Sequence, residues 1–170
     1  MPCALTQSYS LDCRDSLGGI KSAYFIGWAD VTAVTEAAGV VTAITKAVGK
    51  NFYKYQLVRG TSMFQETINS SVENGTVFYQ QELTIILNKL QTNTRNEILL
   101  LAKNNLMVIV EDNNGTFWLL GRLNALNITG GNGATGTAQG DRSGYTLTFT
   151  GGEKELAPSV QSTIIAGLLA

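Results

Sequence analysis

The chain has 170 residues, enough for one domain with a sizeable core, and carries a net charge of −1 with only 15% charged residues and 18 glycines. That balance excludes nucleic-acid affinity through a basic patch, and a surface so poor in charge suits burial against partners better than free diffusion. There is no histidine, so the commonest general base and metal ligand are missing, and the two cysteines match no zinc or CxxC spacing.

In chain order, residues 1–19 read as an irregular arm carrying Cys3 and Cys13, expected as thiols. No signal peptide is visible, and the apolar runs are too short to span a bilayer as helices, so no membrane anchor is expected. Gly18-Gly19 ends the arm. Ile20–Trp28 (IKSAYFIGW) predicts a first strand, being aromatic and β-branched. The Val/Thr content of Asp30–Val48 predicts two short strands turning at Ala38-Gly39, although its alanines leave a helix possible. Asn51–Val58 alternates aromatic and polar side chains as a further strand, and Arg59-Gly60 turns the chain.

Ser62–Leu87 then predicts a long hairpin, with Asn74-Gly75 as a two-residue type I′ turn. That turn pairs Glu73 with Thr76 and Gln65 with Thr84. One face of the hairpin, with Phe64, Ile68, Leu83 and Ile85, is the more apolar and should meet the core. The other carries Gln65, Thr67, Asn69, Ser71, Gln80, Glu82 and Thr84, and it holds no Lys or Arg. An ordinary solvated sheet mixes both charge signs. A ribbon of two strands is also not stable alone, so more strands are expected beside it. The face suits either a neutral outer surface or the wall of a polar channel.

One helix is expected at about 93–104, opened by a capping box at Thr94 and Glu97, with Ile98, Leu99, Leu101 and Ala102 toward the core and Asn104-Asn105 as its stop. A second hairpin follows, LMVIVED and TFWLLG around Asn113-Asn114-Gly115, apolar on both faces and therefore central. The stretch 123–144 reads as glycine-rich loop. It has no GxxxxGK[ST] and no strand-then-helix context for a phosphate. Tyr145–Thr150 predicts a strand with Tyr145, Leu147 and Phe149 on one face, ended by Gly151-Gly152. The apolar tail 157–170 should be docked, on its own subunit or a neighbour, because a loose terminus of that composition would aggregate.

The acidic pairs lead to no catalytic constellation. Glu111-Asp112 sits at a hairpin end, Glu153 and Glu155 in what reads as a solvated linker, and Asp12 and Asp15 flank Arg14. No serine or threonine stands in a nucleophile elbow. The reading is therefore of a non-enzyme without cofactor or metal.

Two stretches carry a resemblance: CRDSLGGIKSAYFIGW near the start, and FWLLGRLNALNITGGNGATGTAQGDRSGYTLTFTGGEKELAP near the end, above all its GTAxGDRSGYTLTFTG pattern. They resemble tail tube proteins of tailed bacteriophages that infect Bacteroidetes. The resemblance implies a single mainly β domain over 1–170, a sandwich or barrel of two antiparallel sheets with one flanking helix. It also implies self-assembly into stacked hexameric rings, with an inner β-barrel that conducts double-stranded DNA in the virion tail, assembled in the host cytoplasm. The implied partners are copies of the chain, a tape measure, a terminator and in some tails a sheath, with DNA passing non-specifically.

On that basis the cation-free hairpin face is expected to line the lumen, since Lys or Arg there would hold DNA through counterion release. Ring-to-ring contacts are assigned to the N-terminal arm, to Gly130, Gly131, Gly133, Gly136 and Gly140, and to Ile164, Ile165 and Leu168 of the tail. The competing readings are a tail terminator or head–tail connector ring, and a capsid-decoration or carbohydrate-binding sandwich. The last would display exposed aromatics, whereas Tyr53, Tyr55, Phe117 and Trp118 are expected in the core and Trp28 in the core or at an interface.

Overall fold

A computed structural model describes residues 3–170. Two β-sheets pack face to face. The larger is built from β1 (Ile20–Gly27), β2 (Val31–Ala37), β3 (Val40–Lys46), β4 (Tyr53–Gln56), β7 (Leu106–Asp112), β8 (Phe117–Leu120) and β11 (Ser159–Val160), in the order β2-β3-β11-β8-β7-β1-β4. The smaller contains β5 (Met63–Ser71), β6 (Thr76–Asn88), β9 (Asn127–Ala134) and β10 (Gly144–Glu153), in the order β5-β6-β10-β9. The helices are α1 (Thr92–Lys103) and α2 (Ser162–Leu168).

The expected strand pair over Asp30–Val48 forms because Ala38 and Gly39 both take positive φ, 53° and 80°, as a tight hairpin with matched twist requires. The apolar pair β7–β8 lies inside the larger sheet, as two-faced hydrophobicity demands. Its turn is held by Asp112, whose Oδ1 accepts from the backbone N–H of Asn114 and of Thr116, both at 2.9 Å.

One core lies between the sheets. Phe25, Val108, Val110 and Leu120 of the larger sheet meet Leu83, Ile85, Leu147 and Phe149 of the smaller, with Leu101 of α1 at one margin. The Phe25 and Phe149 rings stand 5.2 Å apart. Each large side chain fully buried there contributes about 2–3 kcal/mol from lost water contact. A second core occupies the other face of the larger sheet, where Tyr24, Ile26, Met107, Ile109 and Leu119 pack against Val41, Phe52, Val160, Ile165 and Leu168.

Several expectations change. The long hairpin pairs Ser71 with Thr76 and Met63 with Thr84, two positions away from the register of a two-residue turn. The loop is instead Val72–Gly75, closed by Gly75 N–H on the Val72 carbonyl at 3.3 Å, while Ser71 Oγ accepts from Asn74 N–H. Only Gly75 takes positive φ, so the type I′ turn does not form. A slip of two residues preserves which side chains share a face.

Residues Asn127–Ala134, expected as loop, form β9, and β10 runs through Gly151-Gly152 to Glu153. β4 is shorter than its aromatic alternation suggested. The capping box is absent: α1 begins at Thr92 with Gln91 as N-cap and no side-chain cap bond, and Leu99 and Ala102 are exposed. The sheets are not wholly antiparallel, because β11 runs parallel to β3.

The tail is docked on its own subunit. β11 inserts between β3 and β8, and α2 follows. Phe52 N–H reaches the Leu168 carbonyl at 2.9 Å, and Ala170 N–H reaches the Phe52 carbonyl at 3.2 Å. Of the tail residues assigned to neighbours, Ile165 and Leu168 are therefore buried in this chain's second core, and Ile164 packs partly against it. Cys13 is exposed and lies outside any disulfide; Cys3 is exposed as well.

Candidate functional site

The smaller sheet has one covered face and one open one. Period-2 alternation sends Leu83, Ile85, Leu147 and Phe149 inward, where all are buried. It sends Gln65, Thr67, Asn69, Ser71, Gln80, Glu82 and Thr84 to the opposite side, where none is buried. Pairing arranges them in rows across all four strands. Gln65 stands beside Glu82, then Thr150, then Asn127; Met63 stands beside Thr84, then Thr148, then Gly130. The seven hairpin residues thus share their surface with Thr146, Thr148 and Thr150 of β10 and Asn132 of β9.

Those additional residues carry a signal in the alternating YTLTFT, but only the β6–β10 pairing puts them on the same surface. Within these rows Glu82 is the only charged side chain. A cation approaches at one end, where Arg142 Nη2 donates to Thr146 Oγ1 at 3.3 Å from the 135–143 loop. In the same loop Asp141 Oδ2 accepts from the N–H groups of Thr137 and Ala138, each at 2.8 Å, and these bonds hold its carboxyl below the usual carboxylate range.

Among the described residues, both flanks of this sheet are unpaired. β5 bonds only to β6, and β9 only to β10. Three successive antiparallel pairings separate them, so the two free edges run in opposite senses. The far part of the hairpin extends past the core, leaving Ile68 61%, Val72 94% and Val77 52% exposed.

The glycines expected to touch neighbours divide. Gly131 and Gly133 lie in β9, and packing within the sheet accounts for both. A Cβ on Gly131 would sit 2.5 Å from the Thr146 carbonyl, and one on Gly133 would sit 2.9 Å from the Tyr145 ring. Gly136 is crowded by Asp141, whereas Gly130 and Gly140 face open space.

The acidic residues have structural partners. Glu111 pairs with Lys21 at 2.8 Å and accepts from Ser22 Oγ at 3.0 Å. Glu153, expected in a solvated linker, is only 3% exposed. Its carboxylate accepts from the N–H groups of Leu123 (3.0 Å) and Asn124 (2.9 Å), fastening the turn after β8. Burial outweighs these bonds and raises its pKa. Among the described residues, no group of three or more acidic or cysteine side chains could hold a metal ion.

Beside β4 and α1 runs a groove in two lobes of about 590 and 680 Å³, sharing Tyr53, Tyr55, Glu97 and Leu100. Tyr55 stacks edge-on against Phe25 at 4.9 Å, and burial pushes its hydroxyl pKa up to about 12. Contrary to expectation, Tyr53 is 59% exposed; Trp28, expected in the core or at an interface, is 38% exposed. Trp28 nonetheless donates its indole N–H to the Arg122 carbonyl at 3.1 Å, which fixes its ring.

No helix among the described residues is long and apolar enough to cross a membrane. No family model, curated protein or solved structure matches the chain.

Proposed function

We propose that the chain is a structural virion protein that assembles into stacked rings forming a phage tail tube, the conduit for double-stranded DNA. The observation that carries the reading is the smaller sheet: one face sealed by the core, one open face that is mostly polar apart from Met63, Phe78 and Ile86 and nearly free of cations, and two edges of opposite direction that are unpaired among the described residues. An exposed, unpaired edge is a template for another strand. With four strands per copy, β9 of one subunit meets β5 of the next antiparallel, and the alternation continues around any ring.

Six copies, the number implied by the resemblance, would supply 24 strands from the four of each. At a spacing of about 4.8 Å and a tilt of about 40°, such a barrel has a backbone diameter near ~48 Å. Subtracting about 6 Å of side chain from each wall leaves a bore of roughly 35 Å, wider than a DNA duplex. Gln, Thr, Asn and Ser on that wall offer DNA no counterion release, and Glu82 repels it weakly, so the polymer slides. The same edges would serve a terminator or connector ring, which stops at one layer.

Electron microscopy of concentrated recombinant protein tests the reading. Long tubes are the expected result. Single rings at every concentration would move the assignment to a terminator or connector, and monomers alone would overturn assembly altogether. The carbohydrate-binding alternative draws on the exposure of Tyr53 and Trp28, and monomers with glycan affinity would favour it.

A further inference from the structure

The N-terminal arm has an unused pattern. Its odd positions are Cys3, Leu5, Gln7, Tyr9, Leu11 and Cys13, and its even positions are Ala4, Thr6, Ser8, Ser10 and Asp12. That is the period-2 alternation of a half-buried strand. Yet no strand forms in residues 3–18, and Leu5, Tyr9 and Leu11 are 99%, 90% and 90% exposed. Apolar side chains that alternate so regularly from Leu5 to Leu11 while standing almost fully exposed are the signature of a strand completed by another chain.

The base of the arm is held on the β7–β8 turn, while Leu5, Tyr9 and Leu11 stand exposed. Asn114 clasps Leu17 from both sides, its Oδ1 accepting from Leu17 N–H at 2.8 Å and its Nδ2 donating to the Leu17 carbonyl at 3.0 Å. Asn113 Nδ2 donates to the Gly18 carbonyl at 2.5 Å, and its backbone N–H to the Gly19 carbonyl at 3.1 Å. These bonds tie the arm to the β7–β8 turn, on the opposite side of β1 from β4. Residues 3–15, extended, reach about 40 Å beyond that anchor.

The matching surface lies at β4, which among the described residues is an edge strand paired only with β1, with a groove of mixed polar and apolar lining between it and α1 alongside. Trp28, Tyr53, Tyr55, Val58, Leu87 and Leu100 line this groove, with Tyr53 and Leu100 more than half exposed. Residues 3–11 bring no charge of their own to a groove that Asp30, Lys50, Lys54, Glu97 and Lys103 also line.

We infer that the arm of one copy adds a strand to the β4 edge of a second copy, laying Leu5, Tyr9 and Leu11 into the β4–α1 groove. Edge pairing supplies main-chain hydrogen bonds, and the alternate side chains supply register. The exchange requires only that copies of the chain meet, whether or not they build a tube.

Two differently tagged chains, each Cys3→Ser and Cys13→Ser, test it. One carries Tyr9→Cys, the other Tyr53→Cys; both sites are exposed, and a thermal melt checks that each chain folds. Mixed as monomers, concentrated and mildly oxidised, they should yield the mixed disulfide as the main covalent product, several-fold above a control in which Val72→Cys of the hairpin tip replaces Tyr53→Cys. Its absence, or a yield equal to the control, overturns the inference. So does a chain bearing both cysteines that closes only on itself. Tubes without the disulfide would remove the arm exchange and leave the conduit, whereas the disulfide without tubes would do the reverse.

Discussion

Glu66 stands on the core-facing side of β5 and ties the smaller sheet to the segment that leads into β11. Its Oε1 accepts from Ala157 N–H at 2.8 Å, just ahead of the inserted strand β11, while its Oε2 is buried with no hydrogen-bond partner. Burial raises its pKa above the ordinary 4.5, and the Ala157 bond only partly offsets this. A carboxyl raised on folding binds its proton more tightly in the native state. Its stabilising contribution is complete below about pH 4.5 and is lost as pH rises through the folded value. Glu66→Gln keeps an acceptor for Ala157 without the charge. The variant should therefore melt at or above wild type at pH 7, with the gap closing toward pH 4. Melting curves across that range check it, and a gap that widens on acidification would contradict the burial argument. Glu153 shifts in the same direction, so residual acid stabilisation is expected in the variant.

At the scale of elements, α1 lacks the capping it could have. Gln91 holds extended N-cap geometry with φ −131° and ψ 146° but makes no side-chain cap bond, and the first turn has no acidic residue. An aspartate there would accept from the first-turn N–H groups and oppose the positive helix end. Gln91→Asp should stabilise the protein by about 0.5–1 kcal/mol, read from urea denaturation midpoints. The Thr94/Glu97 motif was a local signal that the chain's path overrode: starting at Thr92 places both residues inside the helix. The same contest explains the hairpin. Asn74-Gly75 favours a two-residue turn, but Ser71 supplies an acceptor for Asn74 N–H, and a four-residue loop forms. β9 was illegible for another reason. NITGGNGA has almost no strand propensity, and it extends because β10 offers an edge and tolerates glycine against Tyr145 and the Thr146 carbonyl.

At the scale of the whole molecule, the open face predicts a charge effect that no single element carries. Gln80, Thr84 and Thr148 lie on adjacent strands of that face. Replacing each with lysine should leave the fold intact, since none of the three is buried. Assembled triple-variant tubes should retain linear double-stranded DNA at low salt and release it with a steep dependence on salt concentration, while wild-type tubes retain none. Co-sedimentation across a salt series measures both, and equal retention by the two proteins would remove the lumen assignment of this face.

Alternation and turn chemistry are local, so the sequence alone determined that the chain is mainly β, that the long hairpin has one polar and one apolar face, and that β7–β8 is central. It also determined the face-sharing of Gln65 through Thr84, because a slip of two leaves parity unchanged. What only the tertiary structure decided depends on pairs far apart in the chain. The union of the hairpin face with Thr146, Thr148 and Thr150 rests on the β6–β10 ladder. The burial of Glu153 rests on the turn at Leu123-Asn124. The insertion of β11, which turns an apolar tail into core, rests on β3 and β8 leaving a strand's width between them. Such pairings are chosen by the total surface buried, a sum over the whole fold that no local window of sequence contains.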